Sequence, residues 1–277
     1  MKNKLPFHKT TGSGNDFIII NNFDGKFDFD FFKKLTPIVC NRNNGVGADG
    51  LIVLNKYEGM DFRWDFFNAD GSVAEMCGNG SRCAARLYSL FTGKKDISFM
   101  TLAGVIHAHV KDNFVKIRLS DPTNFIPNMD IYVDGDIIKG HFINTGVPHF
   151  VIYYEENLEE IQVKELGRKI RYHDRFSPAG TNVNFVCSIG ENSIKVRTYE
   201  RGVEDETLAC GTGASASALI SGYLKKVKSP VEVITTGGEK LYIYFSFEND
   251  NFKNVYLEGA VKIICEGNIY LDEIMSR

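Results

Sequence analysis

The sequence lacks the features that mark several specialised classes of protein. Hydrophobic residues make up 43% and charged residues 24% of its 277 positions. These proportions are ordinary for globular domains, which excludes a disordered chain, a collagen and a coiled coil. There is no basic excess, because 32 lysines and arginines face 35 acidic residues, for a net charge of −3. We therefore expect no nucleic-acid partner, although a locally positive site can still hold a small acidic or zwitterionic molecule.

Long apolar runs and cysteine clusters are also missing. The longest apolar runs, such as Phe17–Ile20, are far shorter than the roughly 18 residues of a membrane span. Met1–His8 is polar and is followed by Gly-rich sequence, so we expect neither a signal peptide nor a membrane partner. The 6 cysteines are too sparse for a disulfide scaffold and lack zinc-site spacing. We expect a cytoplasmic protein with reduced thiols and no metal.

What the sequence does contain is an internal repeat. Cys77 and Cys210 each open a Cys-Gly-x-Gly block followed by small residues, and they lie 133 positions apart (210 minus 77). Phe17 and Phe150 have the same offset. The matched segments are Glu75–Leu87 with Leu208–Ile220, Gly14–Ile20 with Gly146–Ile152, and Ile97–Gly104 with Val231–Gly238. Similar segments in the same order indicate two similar halves. Ser120–Pro127, which has two prolines and several turn formers, is the predicted join.

Periodicity predicts many strands and few helices. The predicted strands are Phe17–Asn22, Leu51–Leu54, Asp61–Asn68, Ile97–Thr101, Val115–Leu119, Phe150–Tyr154, Asn184–Ser188, Ile194–Glu200, Val231–Thr235 and Leu241–Phe247. The predicted helices are Asp30–Asn41, Asn79–Phe91, Asn157–Tyr172 and Thr212–Leu224. The last of these has no polar face, so it should be buried. We expect an α+β fold of two pseudosymmetric domains, each a curved, barrel-like mixed or antiparallel sheet around a central helix. A doubly wound fold would need alternating βα units.

The two repeated cysteines are placed for chemistry. Each lies between a strand and the start of an apolar helix, where backbone N–H groups and the helix dipole favour a carboxylate. The same field should lower the pKa of a cysteine there. If the halves face each other, two thiols flank one cleft, which suits a racemase or epimerase that removes an α-proton on one face and returns one on the other. Nothing in the sequence demands a cofactor.

The plainer interpretation of a buried cysteine is a small hydrophobic side chain. We keep that interpretation for Cys40, Cys83, Cys187 and Cys265. For Cys77 and Cys210, the repeat and the glycines favour function, and a disulfide between them is the rival role.

Seven blocks resemble the diaminopimelate epimerase family and cover nearly the whole chain. They are Gly12–Phe17, Asn43–Leu51, Phe66–Ser72, Met76–Cys83, Asn144–Phe150, Gly180–Val186 and Tyr199–Gly213. The resemblance implies cofactor-independent interconversion of LL- and meso-2,6-diaminopimelate, on the route to lysine and peptidoglycan precursors. It also implies closure on substrate, a homodimer, and a return of the C-terminal residues to the first half. The expected domains are then 1–119 with 265–277, carrying Cys77, and 120–264, carrying Cys210.

The resemblance also implies roles for individual residues. Cys77 and Cys210 match the two catalytic bases. The backbone groups matched to the reacting carboxylate belong to Gly78, Asn79, Gly211 and Thr212. The side chains matched to substrate contacts are Asn15, Asn68, Asn182, Glu200 and Arg201. His149 and Glu200 match groups that orient substrate or tune the thiols. On the residues alone, Asn68 is as readily a turn former, and His149 is more readily a structural histidine.

Two positions depart from a familiar form of the family pattern, and other functions stay open. Gly50 and Val147 stand where some members have Gln and Asn that touch substrate, so neither is claimed as a binder. One alternative is a related proline or hydroxyproline racemase, which lacks several of these blocks. A phenazine-biosynthesis-like isomerase lacks the two cysteines. A non-catalytic amino-acid-binding protein has no need of matched thiols.

Overall fold

The computed structural model describes residues 3–155 and 157–275, and its elements are mostly strands. The helices are α1 (Phe29–Val39), α2 (Gly78–Thr92), α3 (Val163–Arg171), α4 (Gly211–Tyr223) and α5 (Leu271–Ile274), with a 3₁₀ turn at Asp174–Phe176. The first strands are β1 (Lys4–Gly12), β2 (Asn15–Asn21), β3 (Gly50–Asn55), β4 (Phe62–Asn68), β5 (Asp96–Thr101), β6 (Gly104–Lys111) and β7 (Phe114–Arg118). The others are β8 (Thr123–Val133), β9 (Asp136–Asn144), β10 (Pro148–Tyr154), β11 (Asn182–Gly190), β12 (Ser193–Glu200), β13 (Asp205–Thr207), β14 (Val231–Ile234), β15 (Lys240–Glu248), β16 (Asn251–Ala260) and β17 (Lys262–Tyr270).

The chain divides into two compact units. The first comprises Met1–Ile117 and Gly259–Arg277, and the second comprises Arg118–Glu258. Strand β17 pairs antiparallel with β1, with Lys4 opposite Tyr270. The first unit therefore contains both N-terminal and C-terminal strands.

The two units repeat one order of strand pairing. In the first, β1 to β6 pair in sequence order, and the pairs alternate antiparallel, parallel, antiparallel, parallel and antiparallel. In the second, the order β9, β10, β11, β12, β14 and β15 shows the same alternation. Phe17 is opposite Gly50 and Phe150 is opposite Val183, so both residues of the pair carry the predicted offset of 133 (150 minus 17; 183 minus 50). The predicted α+β class and its pseudosymmetry are confirmed.

One helix lies at the centre of each curved sheet. Helix α2 packs on β1, β2, β3 and β6, and α4 packs on β9, β10, β11, β12, β14 and β15. Alanine, serine and glycine dominate α4, and its residues from Gly213 to Ser221 are buried. Small side chains let a backbone sit close to strands on several sides, because close packing leaves no room for larger ones. The predicted burial of α4 is confirmed.

Several sequence predictions were wrong in detail. The helix predicted over Asn157–Tyr172 is formed only at Val163–Arg171. The predicted join, Ser120–Pro127, overlaps β8, which begins at Thr123 and includes Pro127. This strand tolerates a proline because its pairing with β9 is irregular near Thr123 and Ile126. Seven strands were not predicted; they are β1, β6, β8, β9, β13, β16 and β17.

In the part of the chain that the structure describes, no helix is long and apolar enough to cross a membrane.

Candidate active site

Cys77 caps the N-terminus of α2. It has extended backbone angles (φ −144°, ψ 122°), and its Sγ accepts a hydrogen bond from the backbone N–H of Gly80 at 3.5 Å. Its carbonyl accepts from Ser81 N at 2.8 Å, the first bond of the helix. The sulfur therefore lies at the positive end of the α2 dipole, where negative charge is stabilised.

Asn15 is the substrate-contact candidate that the structure places against Cys77. It follows a turn in which Ser13 and Gly14 both have positive φ, at 60° and 76°. Its Oδ1 lies 3.7 Å from the Cys77 Sγ, which donates the hydrogen bond. Its Nδ2 donates to Asp49 Oδ2 at 2.7 Å. A predicted binding residue and a predicted base are thus in contact.

The other two asparagines of the first unit that were predicted as site residues, Asn68 and Asn79, make local contacts. Asn68 donates through Nδ2 to Ser72 Oγ at 2.9 Å, and its backbone N–H donates to the Ser72 carbonyl at 2.8 Å. This side chain therefore stabilises a turn, as the plainer interpretation expected. Asn79 lies in the first turn of α2, and its Oδ1 accepts from Arg82 at 3.0 Å.

Cys210 is the N-cap residue of α4, in a different environment. Its carbonyl accepts from Ala214 N at 2.8 Å, as in the first unit, and its Sγ is 3.4 Å from Thr212 Oγ1. Burial, reinforced by the charge of Glu200, raises the pKa of the Cys210 thiol to about 12, although Thr212 and the helix N–H groups oppose the shift. The expectation that the helix would lower the pKa is wrong at Cys210, because burial outweighs the helix.

Glu200, Arg201 and Asn182 surround the end of β12. Burial raises the pKa of the Glu200 carboxyl above its ordinary value, while hydrogen bonds from the side chains of Thr207 and Cys210 oppose the rise. Arg201 donates through its backbone N–H to Asn182 Oδ1 at 2.7 Å, and its guanidinium donates to the Ala179 carbonyl at 3.1 Å. Asn182 also donates to the Pro148 carbonyl at 3.0 Å. The Asn182 side chain therefore ties β10 to the end of β12.

His149 is fully buried and neutral. Burial and the charge of Arg201 lower its pKa to about 3. The Asn184 amide nitrogen donates to His149 Nδ1 at 3.0 Å, and Thr198 donates to Asn184 Oδ1 at 3.0 Å. An amide NH₂ can only donate, so Nδ1 accepts and Nε2 carries the proton. Within residues 3–155 and 157–275, that Nε2–H has no acceptor.

Gly50, one of the two departures from the family pattern, has no space for a side chain. A Cβ there would lie 2.7 Å from both the ring of Phe66 and the carbonyl oxygen of Phe67. Such distances require the neighbours to move. The Phe66 ring and the Phe67 carbonyl oxygen thus occupy the space that a side chain at position 50 would need.

Sequence reasoning missed four residues that support this site. Asp49 holds Asn15, while Asn184 and Thr198 hold His149. Gly213 makes room for that pair, because a Cβ on it would lie 2.5 Å from Asn184 Oδ1. The repeat contained a signal for Asp49, because it stands 133 positions before Asn182 (182 minus 49).

No group of three or more His, Cys, Asp or Glu side chains among the described residues is arranged to hold a metal ion.

The fold and the paired helix caps define the class of the protein. A solved hydroxyproline epimerase from Agrobacterium vitis has the same fold, with a TM-score of 0.66 and 14% identity over 98% of this chain and 94% of that one. At that identity, the likeness concerns the fold alone. It places the chain among two-domain α+β proteins of this architecture.

The family is shown by sequence comparison. The family model described as diaminopimelate epimerase matches residues 7–124 and 141–264. A diaminopimelate epimerase of Aquifex aeolicus is 49% identical, over 96% of this chain and 98% of the relative. One from Hydrogenobaculum sp. is 48% identical, over 94% and 96%. The chain belongs to the diaminopimelate epimerase family, a family of isomerases.

Proposed function

We propose that the protein interconverts LL- and meso-2,6-diaminopimelate with two cysteines and no cofactor, in the synthesis of lysine and peptidoglycan precursors. The observation that supports this most is the repeated Cys-Gly-x-Gly block. It puts one cysteine at the N-cap of the central helix in each unit. The relatives named above are diaminopimelate epimerases, and this chain matches them over nearly their whole length.

The proposed reaction moves one proton off the α-carbon and another one on. A thiolate takes the α-proton, so an S–H bond forms and the electron pair of the C–H bond stays on carbon. The other thiol gives its proton to the opposite face, so a new C–H bond forms and its sulfur becomes a thiolate. Charge that develops on the α-carboxylate meets the N–H groups of Gly78, Asn79, Gly211 and Thr212.

The surroundings of the two thiols suggest their starting roles. Cys210, with its raised pKa of about 12, carries a proton at neutral pH. We therefore assign the first proton donation to Cys210 and the first proton abstraction to Cys77, which accepts a hydrogen bond from Gly80 N. Glu200, which lies beside Cys210, and the neutral His149 orient the substrate or tune the protonation of the thiols. Arg201 suits the distal carboxylate through its forked guanidinium, and Asn68 and Asn182 complete the proposed contacts.

The experiment is α-proton exchange in deuterated water with each diaminopimelate isomer, followed by mass spectrometry. The two-base scheme expects early product to carry deuterium from solvent at the inverted carbon, while recovered substrate retains protium. Cys77→Ala and Cys210→Ala should each lose most epimerisation. Cys187→Ala, which removes a buried thiol of β11, is the matched control and should keep it. Activity should persist with a chelator and without added pyridoxal phosphate.

Three results would contradict this proposal. Product that retains the substrate's α-proton would point to a single base. Exchange with proline or hydroxyproline but not with diaminopimelate would indicate the racemase alternative. Binding of diaminopimelate without any exchange would indicate the amino-acid-binding alternative.

We also propose a cytoplasmic homodimer, on the family resemblance. Light scattering after size-exclusion chromatography tests the dimer, and cell fractionation tests the location.

A further inference from the structure

A network of charged residues in the first unit lies behind Asn15 and has no role in the proposed reaction. Its negatively charged side chains are Asp16 and Asp49, and its positively charged side chains are Lys9 and Arg42. Arg42 Nη2 lies 2.8 Å from Asp16 Oδ1 and 2.8 Å from Asp49 Oδ1. Lys9 Nζ lies 2.7 Å from Asp16 Oδ2. The two negative charges are thus matched by two positive charges.

The network also includes hydrogen bonds from backbone N–H groups. The Asp49 N–H donates to the carbonyl of Asp16 at 2.9 Å, and the Asp16 N–H donates to Asp49 Oδ2 at 3.1 Å. Burial opposes ionisation of Asp16, but hydrogen bonds from Arg42 and Lys9 hold the pKa of its carboxyl well below the usual range. Asp16 is therefore a fixed anion that anchors Arg42, and Arg42 in turn orients Asp49.

Asp49 decides which way the Asn15 amide points. Its Oδ2 lies 2.7 Å from Asn15 Nδ2, and a carboxylate oxygen can accept only from the NH₂ end of an amide. The other end, Oδ1, must then point the opposite way. It lies 3.7 Å from the Cys77 Sγ and accepts from the thiol.

We propose that Asp49 is a positioning residue that acts on Cys77 through Asn15, with Arg42 holding Asp49 in place. The carboxylate of Asp49 keeps the amide oxygen of Asn15, rather than its NH₂ group, toward the sulfur. A proton on Cys77 is thereby directed at Asn15, and the Cys77 thiolate receives no hydrogen bond from that amide. Without Asp49, the amide can turn its NH₂ group to the sulfur and stabilise the thiolate instead.

The test is the alkylation of Cys77 by iodoacetamide as a function of pH, with each thiol followed by peptide mass spectrometry. Asp49→Asn should shift the Cys77 profile to lower pH and raise its alkylation rate near neutral pH severalfold. Asn15→Ala should shift the same profile, and Asp49→Asn should then add nothing in the Asn15→Ala background. The Cys210 profile, read in the same samples, should not move.

A matched pair elsewhere in the first unit provides the control. Asn55 donates to Asp65 Oδ2 at 2.7 Å, with Arg63 nearby, so it has the same chemistry without contact to Cys77. Asp65→Asn should leave Cys77 alkylation unchanged. We call this action of Asp49 on Cys77 through Asn15 the relay. An Asp49→Asn shift that persists in full when Asn15 is Ala, or that Asp65→Asn reproduces, would overturn the relay. Thermal unfolding of each variant separates a folding defect from a change at the thiol.

The activity arm rests on the proposed function, whereas the alkylation arm does not. Asp49→Asn should lower kcat for epimerisation about tenfold with a smaller change in KM, because a Cys77 thiolate that the Asn15 NH₂ group stabilises is a weaker base toward the α-proton. Should no variant or wild-type protein epimerise diaminopimelate while the Cys77 profile still shifts, the proposed function fails and the relay stands. An unchanged profile and an unchanged kcat in Asp49→Asn would end the relay alone.

Discussion

Cys77 and Cys210 occupy the same position in two copies of one fold, yet their neighbours differ. Cys77 contacts a neutral amide, Asn15, whose orientation is set by Asp49. Cys210 is more deeply buried and lies beside a carboxyl group, Glu200, which helps to raise its pKa. For a reaction that needs one thiol and one thiolate at the same time, such a difference determines which sulfur keeps the proton.

Gly213, in the first turn of α4 after Cys210, provides a test at the scale of single residues. A Cβ on Gly213 would lie 2.5 Å from Asn184 Oδ1 and 3.2 Å from Thr198 Oγ1, the two groups that orient His149. We expect Gly213→Ala to lower the free energy of unfolding by about 1–3 kcal/mol, the usual cost of overpacking. Urea unfolding measures it.

Gly78→Ala is the control for that substitution. Its Cβ would have an ordinary contact, 3.7 Å from Ile117, and alanine is the better helix former. Gly78→Ala should unfold at the same urea concentration as wild type or a higher one. Equal stability of Gly213→Ala and wild type would show that the side chains of Asn184 and Thr198 can move aside.

At the scale of elements, helix α4 has an internal weakness. Ser217 is buried, and its hydroxyl has no hydrogen-bond partner among the residues described. Ser221, one turn later, donates to the Ser217 carbonyl at 2.8 Å. A buried polar group without a partner is destabilising.

We expect Ser217→Ala to raise the free energy of unfolding by about 1 kcal/mol, because it removes that unpaired hydroxyl. Ser221→Ala, the matched change on the same helix, removes a hydrogen bond and should not stabilise. Equilibrium denaturation of both variants decides the point. A loss of stability in Ser217→Ala would indicate that the hydroxyl is satisfied after all.

Strands and helices differed in how well local patterns predicted them. Helix α4 was predicted to within one residue at each end, because small apolar residues around its whole circumference can only be buried. Strand β6 was missed, although its burial alternates along Gly104–Lys111. Its inward residues are too few and small to stand out among the histidines and lysine between them. Such strands are stabilised by their neighbours, which a local pattern does not reveal.

At the scale of the whole molecule, His149 makes stability depend on pH. Its pKa is about 3 in the folded state against an ordinary value of 6.5, so below pH 6.5 the unfolded chain binds a proton that the native state does not. Stability should therefore fall as pH falls from about 6.5 toward 3, by up to about 1.4 kcal/mol per pH unit.

His149→Asn tests this dependence. Between pH 7 and pH 5, wild type should lose about 2 kcal/mol more than the variant, whatever their difference at pH 7. His141, whose pKa burial also lowers, is present in both proteins and cancels. Urea unfolding at the two pH values gives the slopes, and parallel slopes would mean that His149 is protonated when folded.

The sequence by itself determined the repeat, the mixed fold and the place of both cysteines at helix starts. These follow from spacing and short-range patterns, which are properties of neighbouring residues along the chain. Only the tertiary structure decided the protonation of Cys210, the direction of the Asn15 amide and the proton position on His149. Each depends on burial or on partners far away in sequence, such as Asp49, 34 positions from Asn15, or Asn184, 35 positions from His149. No local pattern encodes which distant side chain will arrive at a given atom.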